Sequence, residues 1–325
     1  MSRSKPIYVE AFIQAPIEAL WKHTQTPELH QQWDLRFSEI TYIPKSSETE
    51  PQRFLYQTNI GFGLSVAGEG ETVGTKEKNG VLTSSLKFSS ANPISLIREG
   101  AGFWRYVPTE GGIRFLTRYD YQTRFGTIGG WLDRLIFRPL MGWATAWSFD
   151  CLRLWLERGI PPQLSLRRAA IEIVSALSLC LIWLYQGLVP KLLVPDSGEM
   201  DILQGAAFLH GFERPILTLM GLGEIAFGLL FVMLRGTKRK VLYKTNILVL
   251  FLLGLGAAVQ PAAYVAPFNP ISLSLAMIAL SLTGLLNSSQ LPSAGKCLRT
   301  EPGTETSTET STEPDTERLI RGRKK

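Results

Sequence analysis

Residues Leu177–Asp196 read LSLCLIWLYQGLVPKLLVPD. Up to Leu184 the segment is apolar apart from Ser178; it then carries Tyr185, Gln186 and Gly187 and closes on Pro190-Lys191. A run of this kind is either the core helix of a soluble protein or a membrane span. Its neighbours decide between them, because apolar runs recur at 169–190, 215–234, 245–266 and 270–287. At about 1.5 Å per residue each approaches the roughly 30 Å hydrocarbon core of a bilayer. A soluble helix would also show a polar face at every turn, whereas LTLMGLGEIAFGLLFVML (217–234) has Glu224 as its one charge and no polar stripe. The reading is four membrane helices.

The whole-chain averages hide this. Of 325 residues, 45% are hydrophobic and 19% charged, values ordinary for a soluble protein, yet residues 1–168 read as soluble and 169–287 do not. The formal net charge of +6 could point to nucleic acid, but the cations lie beside apolar segments and not in a stripe with stacking aromatics. That pattern favours a topological role, and no nucleic-acid partner is expected. Cys151, Cys180 and Cys297 lack C-x-x-C spacing, so a reducing compartment is expected. The first residues hold no uninterrupted apolar run of the signal-peptide kind, and the N-terminal half is expected in the cytoplasm.

Orientation follows from the cations. Arg167 and Arg168 precede the first span, and Arg235, Lys238, Arg239, Lys240 and Lys244 join the second to the third. Both chain ends are therefore expected in the cytoplasm, as in a multi-pass protein of the cell (inner) membrane. The first span then runs outward, so Tyr185 and Lys191 suit an outer interface, with the ammonium reaching water. Gln186 is left over, about two turns from the outer end, and Glu224 sits about one and a half turns deeper on the antiparallel second span. An ionised carboxylate there is costly, so Tyr185, Gln186 and Glu224 form a candidate membrane polar site, with Gln186 and Glu224 as a water-bridged pair. Gly221, Gly223 and Gly228 would let another helix approach closely.

WLYQGLVPKLL (183–193), LTLMGLGEIAFGLLFVM (217–233), Gln260-Pro261 and FNPISLSLAMIAL (268–280) together resemble the DoxX-like family of small four-helix membrane proteins. The resemblance covers about residues 165–290 and implies an integral membrane bundle with distant relatives in quinone-linked redox chemistry. It makes a quinone the candidate cofactor, although no haem, flavin or iron–sulfur ligand pattern is present. Between the first two spans, SGEMDILQGAAFLHGFERP (197–215) has Ser197 as a capping residue and the spacing of a short amphipathic helix. His210 in it has no ligand partner at metal spacing.

Upstream, IYVEAFIQA alternates Ile7, Val9, Ala11 and Ile13 against Tyr8, Glu10, Phe12 and Gln14, a period-two strand signal. PIEALWKHT then starts a helix. From Ser38 to Arg124 strand candidates are punctuated by turns at Lys78-Asn79-Gly80 and Glu110-Gly111-Gly112. IRFLTRYDYQTR (113–124) places Ile113, Phe115, Thr117, Tyr119 and Tyr121 on one face. A helix from about Gly130 to Arg158 carries Trp131, Leu135, Trp143, Trp147 and Trp155, with Pro139 and Gly142 expected to bend or interrupt it. Its aromatic area needs a concave partner, which a twisted antiparallel sheet supplies.

VEAFIQAPIEALWKHTQTPELHQQWD (9–34) and GGWLDRLIFRPLMGWATAWSFDCLRLWLE (129–157) resemble the START/polyketide-cyclase (SRPBCC, helix-grip) superfamily over about residues 5–158. That implies an α+β domain with a ligand cavity between sheet and long helix. Trp104, Phe115, Tyr119, Tyr121 and Trp131 are the candidate lining residues. No G-x-G-x-x-G, Walker A, G-x-S-x-G or H-E-x-x-H pattern occurs, so no catalytic residue, metal ligand or resident cofactor is assigned and an enzyme is unsupported.

The expected organisation is a helix-grip domain at 1–160, a four-helix membrane domain at 161–290, and a Thr/Glu/Ser/Pro-rich disordered tail at 291–325. The expected function is binding of a lipid, isoprenoid or quinone-like molecule beside the bilayer. The alternatives are an accessory subunit or enzyme of membrane redox metabolism, and a membrane interaction scaffold that contacts another membrane protein or a second copy of itself.

Overall fold

A computed structural model of the chain describes residues 5–61, 63–196, 198–204, 211–257 and 269–302. Two compact units separate: Met1–Ser165 with Pro292–Lys325, and Leu166–Leu291.

The first unit opens with β1 (Ile7–Ile13), α1 (Ile17–Gln25) and α2 (Pro27–Trp33). It continues through β2 (Glu39–Tyr42), β3 (Arg53–Gly61), β4 (Leu64–Lys78), β5 (Val81–Ser89), β6 (Ile97–Thr109) and β7 (Gly112–Thr123), and ends in α3 (Gly126–Leu132) and α4 (Arg138–Arg158). The seven strands form one antiparallel sheet in the order β1-β7-β6-β5-β4-β3-β2. Each of β2 to β6 thus pairs with its successor, the short-range pairing that hairpin turns produce, and β7 closes on β1. At the β4–β5 turn Asn79 and Gly80 have φ of 54° and 75°, as a two-residue turn matched to strand twist requires.

The period-two reading of β7 holds: Ile113, Phe115, Thr117, Tyr119 and Tyr121 are all buried. Phe115 stacks on Phe149 of α4, with ring centroids 4.4 Å apart, so the long helix packs on the sheet. An antiparallel sheet carrying one long C-terminal helix on its face is the helix-grip arrangement.

The long helix is interrupted, as expected, but by a π-helical turn at Asp133–Phe137. Pro139 has no N–H to return to the carbonyl of residue 135, and the wider turn takes up the mismatch.

β1 departs from strict alternation. Ile7, Val9, Ala11 and Ile13 are buried as predicted, but so are Tyr8 and Glu10. Their cover includes the segment after Leu291: Glu10 and Leu298 exchange two backbone hydrogen bonds of 2.9 Å. Nearby, a 3-10 turn at Ala294–Lys296 lies against α4, where Ser293 donates its N–H to Asp150 at 2.8 Å. This corrects the expectation of a disordered tail from 291. Residues 292–302 have too few apolar side chains to form a core, yet they can pair with an open sheet edge. The rest of that tail, 303–325, lies outside the described residues.

The second unit contains α5 (Pro162–Leu188, continued by a π-helical turn at Val189–Leu193), α6 (Gly198–Gln204), α7 (Glu213–Met233), α8 (Thr237–Ala257) and α9 (Pro270–Asn287). Of the four expected spans, Pro162–Leu193 and α7 are long and apolar enough to cross a bilayer, and the apolar run of α9 is shorter. The expected third span is described only to residue 257, and Gln260-Pro261 lie outside the described residues.

Leu179, Trp183, Phe231, Tyr243 and Met277 form the buried centre of this unit. A polar chain crosses it: Trp183 Nε1–H donates to Asn246 Oδ1, and Asn246 Nδ2–H donates to Ser281 Oγ, each at 2.8 Å. Each buried polar atom in that chain thereby finds a partner on another helix.

Helix approach is set by glycine. A Cβ on Gly187 would lie 2.5 Å from the Gly221 carbonyl oxygen, and one on Gly221 would lie 2.7 Å from the Gly187 oxygen. Gly228 meets Trp183 in the same way, whereas a Cβ on Gly223 meets nothing within 4 Å among the described residues. Of the three glycines expected to admit a helix, Gly223 therefore does not. Gly221→Leu should lower the apparent melting temperature of the purified full-length protein by at least about 5 °C, and Gly223→Leu by less than about 2 °C. Equal effects in a thermal unfolding assay would remove the close crossing as the cause.

Candidate ligand cavity and membrane polar cluster

A cavity of about 680 Å³ lies in the first unit, within the roughly 300–1,000 Å³ of small-molecule sites. Phe54, Tyr56, Val66, Leu86, Phe88 and Trp104 of the sheet line one side, and Leu132, Ile136, Leu140 and Trp143 the other. Its rim is apolar: Ile60, Ile94, Ile136 and Leu140 line it and are each more than half exposed.

Most hydroxyls on this wall have already given their proton to the protein. Tyr56 donates to the Ser89 carbonyl and Tyr42 to that of Gln25. Thr117 donates to the Phe103 carbonyl. Thr145 donates to the Met141 carbonyl, so the 2.9 Å bond between Tyr119 Oη and Thr145 Oγ1 uses the tyrosine's proton. Burial raises the phenols, Tyr56 to about 12 and Tyr119 in the same direction, and keeps them neutral.

One charged group stands on the wall. Arg36 Nε and Nη2 donate to the two carboxylate oxygens of Asp34 at 2.9 and 2.6 Å, and the Arg36 guanidinium lies 5.4 Å from the Tyr119 ring centre. His30 Nε2 is 3.1 Å from Asp34 Oδ2. Burial disfavours the charge on Asp34, but the attraction of Arg36 and its hydrogen bonds prevail and hold the carboxyl well below its usual range. Burial lowers His30, and the imidazole is neutral. Asp34 and Arg36 follow α2 directly. Their main chain is pinned on two sides, by Leu35 N–H to Ser148 Oγ of α4 at 2.9 Å and by a short bond from the Thr58 hydroxyl to the Arg36 carbonyl.

Of the expected lining residues, Trp104 and Tyr119 are on the wall. Phe115 is core, fully buried against Phe149. Tyr121 donates its hydroxyl to Asp133 at 2.6 Å beneath the Arg138 guanidinium. Trp131 is 64% exposed and off the wall. Alternation places 115 and 121 on the inner face but cannot tell cavity from core, and Trp131 precedes the π-helical turn. Asp34, Arg36 and His30 were missed. The one signal was a charged pair, WDLR (33–36), directly after an apolar-faced helix.

In the second unit, Pro190 offers no N–H to the Gln186 carbonyl, and Lys191 Nζ donates to that oxygen at 3.3 Å. The same ammonium pairs with Glu199 at 2.7 Å and Glu224 at 2.9 Å. Lys191 is 5% exposed, which corrects the expectation of an ammonium reaching water: two carboxylates supply the charge that water would have. Glu224 is therefore partnered by Lys191, and the Gln186 amide makes no hydrogen bond among the described residues. Tyr185 is 62% exposed. Ser197 and His210 lie outside the described residues.

The profile of the DoxX-like family matches residues 180–282. A membrane protein named YndG, from Bacillus subtilis (strain 168), is 52% identical over 187 residues, which are 57% of this chain and 69% of the relative. Among solved structures, a STAR-related lipid transfer protein from Xanthomonas axonopodis is 15% identical over 46% of this chain and 85% of its own, with a TM-score of 0.37. The di-domain ARO/CYC StfQ of the steffimycin biosynthetic pathway is 13% identical over 48% of this chain and 52% of its own, with a TM-score of 0.35.

Arg36→Met leaves the Asp34 carboxylate buried without its partner and should cost about 3–5 kcal/mol, most of which Asp34→Asn in the same chain should restore. Additive losses in equilibrium unfolding would show the pair to be uncoupled. Because Asp34 is depressed in the folded state, its contribution is fully present above its unfolded value near ~3.9 and is lost as pH falls below it. The double variant should lack that part of the acid-induced loss.

Proposed function

The chain belongs to the family of the membrane protein YndG and carries a DoxX-like domain, and from that membership we propose a multi-pass membrane protein whose helix-grip unit takes up an apolar small molecule. A lipid, an isoprenoid and a quinone all fit the cavity's chemistry. The observation that carries this reading is the apolar-walled cavity of about 680 Å³, in a chain that also holds membrane helices. Its exposed apolar rim lets such a ligand enter without crossing a charged surface. Trp131, Phe125, Ile128 and Leu135, each more than half exposed, continue that apolar surface along the same segment.

Connectivity supports the topology. The first unit holds chain from both before and after Leu166–Leu291, so crossings between Ser165 and Pro292 come in an even number. α9 has no charged residue and, at 18 residues, is about 27 Å long. If α9 crosses, α8 crosses too and the count is four. Arg167 and Arg168 and the cations at 235–244 favour the cytoplasmic face of the cell membrane for the helix-grip unit.

The redox and scaffold readings need Glu224 or the glycines to be available to a partner. Glu224 is paired with Lys191 and Gly221 is closed against Gly187, while Gly223 is open among the described residues and keeps the scaffold reading as the second one.

Purified full-length protein should release a near-stoichiometric apolar molecule on organic extraction, detected by mass spectrometry. Ser84→Trp, which fills the cavity from its wall, should release far less. Equal yields from both proteins would sink the cavity reading, and reporters fused at the two chain ends that emerge on opposite sides of the membrane would sink the topology.

A further inference from the structure

A buried ion pair is a weak source of stability, since apolar residues of similar size often replace one without loss. The Asp34–Arg36 pair therefore needs a reason to stand on the wall of an otherwise apolar cavity. Asp34 engages Nε and Nη2 of Arg36 and the Tyr119 hydroxyl oxygen is a further acceptor beside the guanidinium, which still leaves part of its five-donor fork unused among the described residues. With most hydroxyl protons of the wall committed to backbone or side-chain acceptors, Arg36 is the strongest donor available there. It is also pre-set: its side chain is 10% exposed, stacked near Phe37 and Tyr119, and its main chain is tied to α4 and β3.

Charge then selects the acceptor. Asp34 already cancels the guanidinium, neutral His30 adds nothing, and among the wall residues Arg36 is the only one that is ionised at neutral pH. A carboxylate or phosphate entering the cavity would leave one uncompensated negative charge in a low-dielectric site. A carbonyl oxygen brings no charge and takes up the idle donor. We infer that Arg36, held by Asp34, is the polar anchor of the cavity and receives the uncharged carbonyl head of an otherwise apolar ligand: a ketone, a quinone or an ester. This rests on the reading of the cavity as a ligand site and adds which end of the ligand is recognised, and by what.

The test uses full-length protein in nanodiscs, with tritiated 2-tridecanone and tritiated tridecane as matched probes and empty nanodiscs subtracted. The ketone should bind at least about tenfold more tightly than the hydrocarbon, the margin that a charge-assisted hydrogen bond supplies. Laurate should compete more weakly than unlabelled ketone. In Asp34→Asn/Arg36→Met the ketone should fall to the level of tridecane while tridecane binding is unchanged, which also shows that the variant keeps its cavity. If both probes bind the unmodified protein equally, the cavity stands and the anchor is refuted. Laurate outcompeting the ketone would refute the uncharged head. If neither probe binds, the ligand-site reading fails and the anchor falls with it.

Discussion

Two backbone hydrogen bonds between Glu10 and Leu298 tie the two ends of the described chain together, and much else depends on them. They occupy the free edge of β1, which would otherwise present unpaired N–H and carbonyl groups. They help to bury Tyr8 and Glu10, whose carboxylate pairs with the half-exposed Arg114 at 2.8 Å. They also oblige the chain to return to the unit it left, so the helices between Ser165 and Pro292 form an excursion with both ends in one domain.

Proline has a parallel effect in both units. Pro139 lies just after the π-helical turn at Asp133–Phe137 and Pro190 lies within the one at Val189–Leu193, because a residue without an N–H cannot close the ordinary i to i−4 bond. In the first unit the turn marks the change from exposed apolar residues to the buried face of α4. In the second it releases the Gln186 carbonyl, which Lys191 then reaches, and the ammonium is drawn inward between Glu199 and Glu224. The amide of Gln186, the most conspicuous polar group in the first span, takes no part. Its backbone oxygen does.

The two buried cations solve the same problem differently. Lys191 is surrounded by two carboxylates and a carbonyl, so its donors are committed within the unit. Arg36 meets one carboxylate edge-on and retains unused donor capacity on a cavity wall. That difference separates a cation that serves packing from one that can serve a ligand.

Local pattern determined the two-part organisation, the inner faces of β1 and β7, the interrupted long helix and the apolar character of the second unit, because periodicity and hydropathy are properties of neighbouring residues. It also brought Trp104 and Tyr119 into view, since both sit on inward-facing strand positions. Tertiary structure alone decided that Phe115 is core while Trp104 borders a cavity, since both face inward and only the distance to the opposite layer distinguishes them. It alone joined Leu298 to Glu10 and Lys191 to Glu224, contacts between residues far apart in the chain. The Asp34–Arg36 pair was legible as two adjacent charges, but nothing local to WDLR says that the loop after α2 is folded beneath a sheet. Burial is what turns that pair from a solvated surface feature into the one charged group on the cavity wall.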